Sequence, residues 1–324
     1  MPRRTRRRAW RRVSATGCCR RWNETKGIRM QVHEAGLLGR TAKAAAPQLC
    51  RLASSRRMRQ GTRLLEIYLE ILQGRGAGTG WDLRGEIHAA RRCLQGVEAP
   101  VVFDVGANYG QWSAGLRSAL GTRKGRFFLF EPQPACQSAL AGAGIPNQVV
   151  IPAAVSDEEG SATIFADTPG SGVASVHRRR DSYFGDMTAH QEKVPVTTID
   201  REVERWGVER VDLLKLDIEG AEFQALRGAA GSLRDRRVTT IAFEFGSANV
   251  YSRTFFRDFW DLLSPFGYRL WRICPGGVLL PVREYTEELE HFRGVSNYVA
   301  SLRTPETRAP RTPAGRKRAE PVAG

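Results

Sequence analysis

A regular alternation of short apolar segments with helical ones, between residues 101 and 245, constrains the fold of this chain more than any other feature. The five apolar segments are VVFDV (101–105), RFFLFE (126–131), QVVIPAAV (148–155), VDLLKLD (211–217) and TTIAFEF (239–245). Runs of this length are typical of parallel strands that are buried on both faces. Strands that alternate with helices predict an α/β fold with a mainly parallel sheet.

Flanking segments complete the predicted domain. Helical spacing of apolar residues over 62–73, capped by Thr62, and over 82–94 predicts two helices before the first strand. Glycine-rich residues 156–196 break the alternation and predict an antiparallel excursion. Two last strands, 268–274 and 297–302, predict an antiparallel edge. We therefore expect one folded domain over residues 61–302, with a seven-stranded sheet.

The basic charge lies at the two ends of the chain. The formal net charge is +16, yet residues 1–29 alone contain eleven Lys and Arg residues against one acid. We expect residues 1–60 to be a basic, disordered extension and residues 303–324 a disordered basic tail. The near-neutral middle lacks the basic, aromatic-studded stripe of a nucleic-acid-binding protein, so a nucleic-acid partner is not predicted.

The basic N-terminal segment admits three interpretations. It is a surface tail that binds nucleic acid or anionic lipid, an organelle transit peptide, or a solvated extension. We favour the solvated extension, which includes the case of an upstream extension with the true start at Met30. No apolar segment follows its arginines, so no signal peptide is expected. The six cysteines lack metal-site spacing and are typical of free thiols in a reducing compartment, so we expect a cytoplasmic protein. No apolar run approaches about 18 residues, so no transmembrane segment is expected.

Acidic residues stand at the carboxyl ends of four predicted strands. They are Asp104, Glu131, Asp217 and Glu244. Ligands of open α/β sheets bind outside the carboxyl ends of the strands. Four acids along one rim predict a cationic or hydroxyl-rich ligand.

A glycine turn follows the first strand, in VVFDVGANYG. Gly106 and Gly110 form GxxxG rather than the GxGxxG of dinucleotide sites, which favours a cofactor without a pyrophosphate. S-adenosylmethionine fits, and Asp104 either pairs with its ammonium or caps the turn. Glu131, 21 residues after Gly110, either accepts hydrogen bonds from a ribose diol or is a surface acid before a turn.

The fourth strand carries a lysine and an acid on one face. Lys215 and Asp217 are two residues apart, and a lysine in a buried strand is costly unless it is paired. Glu219 and Glu222 follow at the start of a helix, where the macrodipole stabilises acids. Stabilisation by the macrodipole explains the presence of Glu222, but it does not explain why Lys215 and Asp217 occur on the strand.

Five motifs in this order resemble the FkbM family of S-adenosylmethionine-dependent methyltransferases. They are VVFDVGANYGQWS, LFEPQP, AAVSDEEG, VPVTTID and VDLLKLDIEGAEFQALRGA, and the resemblance covers roughly residues 100–300. It implies a Rossmann-like class I methyltransferase fold. It further implies a methionine-side turn of Asp104, Gly106, Asn108 and Gly110, a ribose contact at Glu131, an adenine contact at Ser156 and Asp157, and a transfer site facing Asp217. Tyr109, in place of an aliphatic residue, is a mild departure.

The predicted activity is O-methylation of a hydroxyl on a sugar, glycolipid or polyketide-type small molecule. Asp217 is the candidate base or acceptor-orienting group, and Lys215 either keeps it ionised or touches the acceptor. His177 and His190 are alternative bases. No metal site is predicted, although the clustered acids leave a magnesium-assisted mechanism open.

Other functions remain as alternatives. The sequence DIEG stands where enzymes that methylate base amino groups carry an Asn/Asp-Pro-Pro-aromatic run. A non-catalytic cofactor-binding module, with a basic tail that binds RNA or anionic lipid, is the main rival. A nicotinamide-dependent oxidoreductase is disfavoured by the glycine spacing.

Overall fold

The structure is a computed structural model that describes residues 37–78, 83–121, 124–181 and 185–305. The predictions for residues 1–36 and 306–324 lie outside this part of the chain. The chain divides into two units at Thr62 and Arg63, and the elements of the sheets all belong to the second. No helix in the described ranges has both the length and the apolar character needed to cross a bilayer.

Thirteen strands occur in the described ranges. They are β1 (Val101–Val105), β2 (Arg126–Phe130), β3 (Gln148–Ile151), β4 (Ala154–Val155), β5 (Gly160–Ala166), β6 (Arg180–Asp181), β7 (Gly185–Asp186), β8 (His190–Thr197), β9 (Leu213–Leu216), β10 (Thr240–Gly246), β11 (Arg269–Cys274), β12 (Val278–Val282) and β13 (Val295–Ser301). Eight of them form the main sheet, in the order β12-β11-β13-β10-β9-β1-β2-β3. Strands β10, β9, β1, β2 and β3 are parallel, and β11, β12 and β13 pair antiparallel. The predicted mainly parallel sheet with an antiparallel edge is confirmed.

The predicted count of seven strands is wrong by one, because the sheet ends in the additional edge strand β12. Its sequence is VLLPV, directly after a Pro-Gly-Gly turn. Pro281 cannot donate a ladder hydrogen bond and argues against a strand unless that strand is at an edge. Strand β12 lies at the edge of the sheet, so Pro281 is tolerated in it.

The predicted strand 148–155 is divided in the structure. Strand β3 ends at Ile151, and β4 begins at Ala154 in a different sheet, where it pairs with β8. Pro152, between them, has no backbone N–H with which to continue the ladder. Strands β5 and β8 pair antiparallel, as do β6 and β7, and these pairs form the predicted antiparallel excursion. Strand β4 extends the small sheet by pairing with β8 in parallel.

Ten α-helices occur in the described ranges. They are α1 (Leu37–Ala53), α2 (Arg56–Leu72), α3 (Leu83–Cys93), α4 (Gln111–Leu120), α5 (Pro134–Ala141), α6 (Ile199–Arg205), α7 (Glu222–Arg227), α8 (Ala230–Arg234), α9 (Ala248–Ser252) and α10 (Phe256–Leu263). Short 3₁₀ turns add Ser264–Phe266, Pro275–Gly277 and Glu287–Glu290. One face of the sheet packs against α3, α4 and α5, and the other against α6, α7, α8 and α10.

Two predictions at the N-terminal side are wrong. Residues 37–60, expected to be disordered, form α1 and the beginning of α2. Thr62 lies inside α2 instead of capping it, and its hydroxyl donates to the Met58 carbonyl at 3.0 Å. The segment is rich in Ala, Leu and Arg, which are strong helix formers, and this local propensity outweighs its high charge.

We predict that Phe259→Ala lowers the free energy of unfolding by about 3–5 kcal/mol. Phe259 is fully buried and stacks on Phe243 with ring centroids 4.7 Å apart. Urea unfolding followed by circular dichroism measures the change. The matched control is Phe255→Ala, because that ring is 61% exposed and its loss should change stability by about 0.5 kcal/mol or less. Equal shifts for the two variants would contradict this packing.

Candidate active site

A cleft of about 540 Å³ lies at the carboxyl ends of β1, β2 and β9. Polar lining comes from Asn108, Glu131 and Asp217, and the apolar wall includes Val155 and Ile164. The three predicted strand ends therefore share one cavity, as expected where parallel strands finish on the same edge.

A tight turn after β1 forms one side of this cleft. Gly106 has a φ of 84° and Gly110 a φ of 81°, which favour glycine. A Cβ atom at Gly106 would lie 1.9 Å from the carbonyl oxygen of Asp217. The turn is held against β2 because the Gly106 and Ala107 N–H groups both donate to the Phe130 carbonyl at 3.0 Å. The predicted glycines are thus required by backbone geometry at this crossing of β1 and β9.

Glu131 is fixed at the floor of the cleft. The Asn108 N–H donates to Glu131 Oε2 and the Gln133 N–H to Oε1, both at 2.8 Å. Burial raises the pKa of this carboxyl, and the backbone N–H donors of Gln133 and Asn108 oppose the rise. A carboxylate oxygen has two lone pairs, so each oxygen retains acceptor capacity for a ligand hydroxyl. Glu131 thus combines a fixed position with room for two further hydrogen bonds.

Lys215 is buried between two carboxylates. Its Nζ atom lies 3.3 Å from Asp104 Oδ1 and 3.0 Å from Asp217 Oδ2, and it lies 5.3 Å from the centroid of the Trp112 ring. Burial lowers the pKa of the Lys215 ammonium, but Asp104, Asp217 and Glu86 more than offset this and raise it well above its ordinary value. Lys215 is therefore charged, and the predicted pairing with Asp217 is present.

Asp104 lies beneath the cleft rather than in its lining. Its side chain is fully buried, and Ser113 Oγ donates to Oδ2 at 2.7 Å while Lys215 occupies Oδ1. Asp104 faces Lys215 across the β1–β9 ladder. The geometry makes it the partner of Lys215, and its predicted contact with a cofactor ammonium has no support from the lining of the cavity.

Ser156 and Asp157 also lie outside the lining, which contains the preceding residues 153–155 instead. Asp157 forms an ion pair with Arg227 at 3.3 Å, and Ser156 Oγ donates to Asp157 Oδ1 at 3.1 Å. The Ser156 carbonyl packs closely against Gly228. Asp157 is thus engaged with the end of α7 and the Ser156 hydroxyl with Asp157, and the adenine contact of both residues stays a prediction.

Three carboxylates gather beside Lys215. Oxygens of Asp217, Glu219 and Glu244 lie within 4.8 Å of one another, all on half-buried residues, and such a set can hold a divalent cation. Burial, followed by the charges of Asp217 and Glu219, raises the pKa of Glu244 well above its ordinary value. The sequence marked Glu244 as a strand-end acid but gave it no role.

The roles of two further acids differ from one another. Glu219 has a φ of 52° and forms an ion pair with the fully buried Arg179. Glu222, as expected, has a structural role, since it accepts hydrogen bonds from the Ile218 and Gly220 N–H groups. The Glu219–Arg179 pair was not found from the sequence, because the two residues are 40 positions apart and no local pattern joins them.

Neither alternative base lines the cleft. His177 donates its backbone N–H to Ser175 Oγ at 3.0 Å, and burial lowers the pKa of its imidazole. His190 lies on β8, 3.9 Å from Glu192. Asp217 is consequently the titratable strand-end group that both lines the cleft and contacts Lys215.

Comparison with known proteins assigns this arrangement to a family. The model of the methyltransferase FkbM domain matches residues 104–270, which is more than half of the chain. The chain belongs to the FkbM methyltransferase family. S-adenosylmethionine is the methyl donor typical of this family, and the resemblance seen in the sequence is confirmed.

Individual relatives are distant. Methyltransferase sdnD of Sordaria araneosa is 27% identical over 157 residues, which are 40% of this chain and 60% of that protein. Methyltransferase FkbM from Methylobacillus flagellatus KT is 15% identical, with a TM-score of 0.38, over 64% of this chain and 47% of that one. Aeropyrum pernix fibrillarin, in complex with S-adenosyl-L-methionine, is 15% identical with a TM-score of 0.34, over 67% of this chain and 75% of that one.

The residues of the cleft fit this cofactor. Glu131 offers a buried, fixed carboxylate with free acceptor capacity, as a ribose diol requires. The wall formed by Val155 and Ile164 is apolar, as a purine ring requires. The glycine turn exposes backbone close to the cavity, and Asp217 adds a carboxylate to the lining, as a cationic cofactor requires.

We predict that Lys215→Met lowers the free energy of unfolding by about 3–5 kcal/mol, because it leaves Asp104 as an unpaired buried charge. The double variant Lys215→Met/Asp104→Asn should recover part of that loss, since the uncompensated charge is then absent. Urea unfolding measures both variants, and the exposed Lys193→Met is the control. A double variant that is less stable than the single one would show that the pair is not the source of the loss.

Proposed function

We propose that this protein transfers a methyl group from S-adenosylmethionine to a hydroxyl of a sugar, glycolipid or polyketide-type small molecule. The observation that carries the proposal is the position of Asp217, which lines the cleft beside Lys215 and lies on the same rim as Glu131. A carboxylate in this position can accept a hydrogen bond from an alcohol. An anionic acceptor is disfavoured, because Glu219 and Glu244 lie next to Asp217.

Residues at the rim of the cleft bind and orient the cofactor. We assign Glu131 to the two ribose hydroxyls and the turn of Gly106, Asn108 and Gly110 to the methionine side. Residues 153–155 and Ile164 form the wall assigned to the adenine. When bound, S-adenosylmethionine supplies an electrophilic methyl group on a good leaving group. The protein then has to align the acceptor oxygen with that methyl, and such positioning is worth up to about 7–11 kcal/mol.

Activation of the acceptor falls to Asp217. Bound S-adenosylmethionine would supply the methyl group to the acceptor oxygen, and the hydroxyl proton would pass to Asp217 Oδ. Lys215 holds this carboxylate in place and favours its ionised form. Asp104 and Ser113, in turn, hold Lys215 from below. Lys215 is thus a positioning residue, since Asp217 stands between it and the cleft.

The carboxylate cluster extends this site away from the cofactor. Glu244 lies next to Asp217, and burial together with the charges of Asp217 and Glu219 raises its pKa. A carboxyl with a raised pKa is protonated more readily, and in that form it can donate a hydrogen bond as well as accept one. We assign Glu244 to the acceptor side, where it can receive a second hydroxyl of a polyol.

Cofactor affinity should depend on the carboxylate of Glu131. Glu131→Gln removes one acceptor and the charge beside the ribose, and we expect S-adenosylmethionine to bind about ten- to a hundredfold more weakly. Isothermal titration calorimetry measures the change. Glu159→Gln, on an exposed acid of the same domain, should leave affinity unaltered. Unaltered affinity in Glu131→Gln, with the fold intact, would remove Glu131 from the cofactor site.

Turnover should depend on the carboxylate of Asp217 far more than cofactor affinity does. Asp217→Asn should lower turnover by about 10²–10⁴-fold and leave S-adenosylmethionine affinity within a few fold. Transfer of radiolabelled methyl groups to a panel of glycosides, glycolipids and macrolide alcohols measures turnover, with the best acceptor used for both proteins. Equal turnover of wild type and variant would exclude Asp217 as the base. Methylation of amines or carbon acids alone on this panel would exclude the O-methyl assignment.

A further inference from the structure

Helix α2 carries an apolar stripe on its outer side. Its large side chains are between 48% and 66% exposed, and they are Leu64, Leu65, Tyr68, Leu69 and Leu72. The intervals of three, four and seven residues among them place them along one face of the helix. Apolar stripes of surface helices normally face the core. An outward stripe of this size indicates a surface that binds something.

The opposite side of α2 is attached to the rest of its unit. Glu70 is 7% exposed, and its carboxylate lies 2.6 Å from Arg293 Nη1 and 3.4 Å from His291 Nε2. Ile67 and Ile71 on the same side are half-buried. The buried Glu70 carboxylate therefore attaches this side of the helix to Arg293 and His291, and the apolar stripe is left on the outer side.

The positive charge of the chain is concentrated immediately before this stripe. Residues 1–63 contain 18 Lys and Arg residues and two acids, whereas the rest of the chain contains equal numbers of basic and acidic residues. Arg56, Arg57, Arg59 and Arg63 stand within α2 itself. The arginines precede the apolar stripe along the helix. Positive charge next to exposed large apolar side chains is typical of segments that bind a membrane interface.

We propose that the apolar stripe of α2 docks on the surface of an anionic phospholipid bilayer, with the basic segment before it held by the lipid headgroups. The stripe enters the boundary between headgroups and acyl chains, and the arginines stay at headgroup level. A second copy of the chain is a poorer occupant, because it would bring two strongly positive segments together. A nucleic acid would satisfy the charge but would leave five large apolar side chains in water.

Vesicle cosedimentation tests the proposal with the full chain. We expect binding to vesicles of phosphatidylcholine mixed with phosphatidylglycerol, weaker binding to phosphatidylcholine alone, and a decrease with salt. Leu65→Gln/Leu69→Gln should lower partitioning onto the anionic vesicles about tenfold or more. Tyr68→Gln should lower it by a smaller factor. The matched control Val278→Thr/Leu280→Thr, which removes two exposed apolar side chains from the edge strand β12, should bind like wild type.

Three results would overturn the proposal. If Leu65→Gln/Leu69→Gln binds anionic vesicles as tightly as the wild type, the basic segment binds the lipid without the apolar stripe. If wild type sediments as a dimer that this variant dissociates, and neither binds vesicles, the stripe is an interface between copies. If an oligonucleotide binds both proteins and vesicles bind neither, the partner is a nucleic acid. None of these results depends on methyl transfer, so they are independent of the proposed activity.

Discussion

The burial of one ammonium group organises this protein. Lys215 lies in the interior of the sheet, where a lone charge would be strongly unfavourable, and Asp104 and Asp217 compensate it from adjacent positions on β1 and β9. Because both carboxylates must reach the same nitrogen, the two strands are fixed in register. The same constraint places Asp217 at the rim of the cleft, so that a requirement of stability determines where chemistry can take place.

A second constraint links the β1 turn to β2. The backbone after β1 must pass close to the Asp217 carbonyl, which only a glycine at position 106 allows, and its N–H groups then point toward Phe130 and Glu131. The carboxylate of Glu131 is consequently oriented by the main-chain donors of Asn108 and Gln133. A ligand contact built in this way requires no side-chain reorganisation when a ligand enters the cleft.

The features that were predicted correctly from the sequence are those that a local pattern of residues determines. The features that were missed depend on contacts between residues far apart in the sequence. Strand alternation, the glycine turn and the pairing of Lys215 with Asp217 follow from spacing of two to five residues. The orientation of Asp104 toward Lys215 depends on the register between β1 and β9, which are more than 100 residues apart, and the sequence alone does not contain that register. The position of Ser156 outside the cleft likewise depends on a long-range contact, the close packing of its carbonyl against Gly228.

The break at Pro152 has a further consequence for how such a protein can diverge. Because β3 and β4 belong to different ladders, the floor of the cleft is built by the main sheet, whereas the wall around Ile164 is built by the small one. Insertions or exchanges within the loops of the small sheet can therefore reshape the cavity without shifting the strands that carry Lys215 and Asp217. The wall of the cleft and the carboxylate that faces the acceptor are, in this architecture, positioned by two separate sheets.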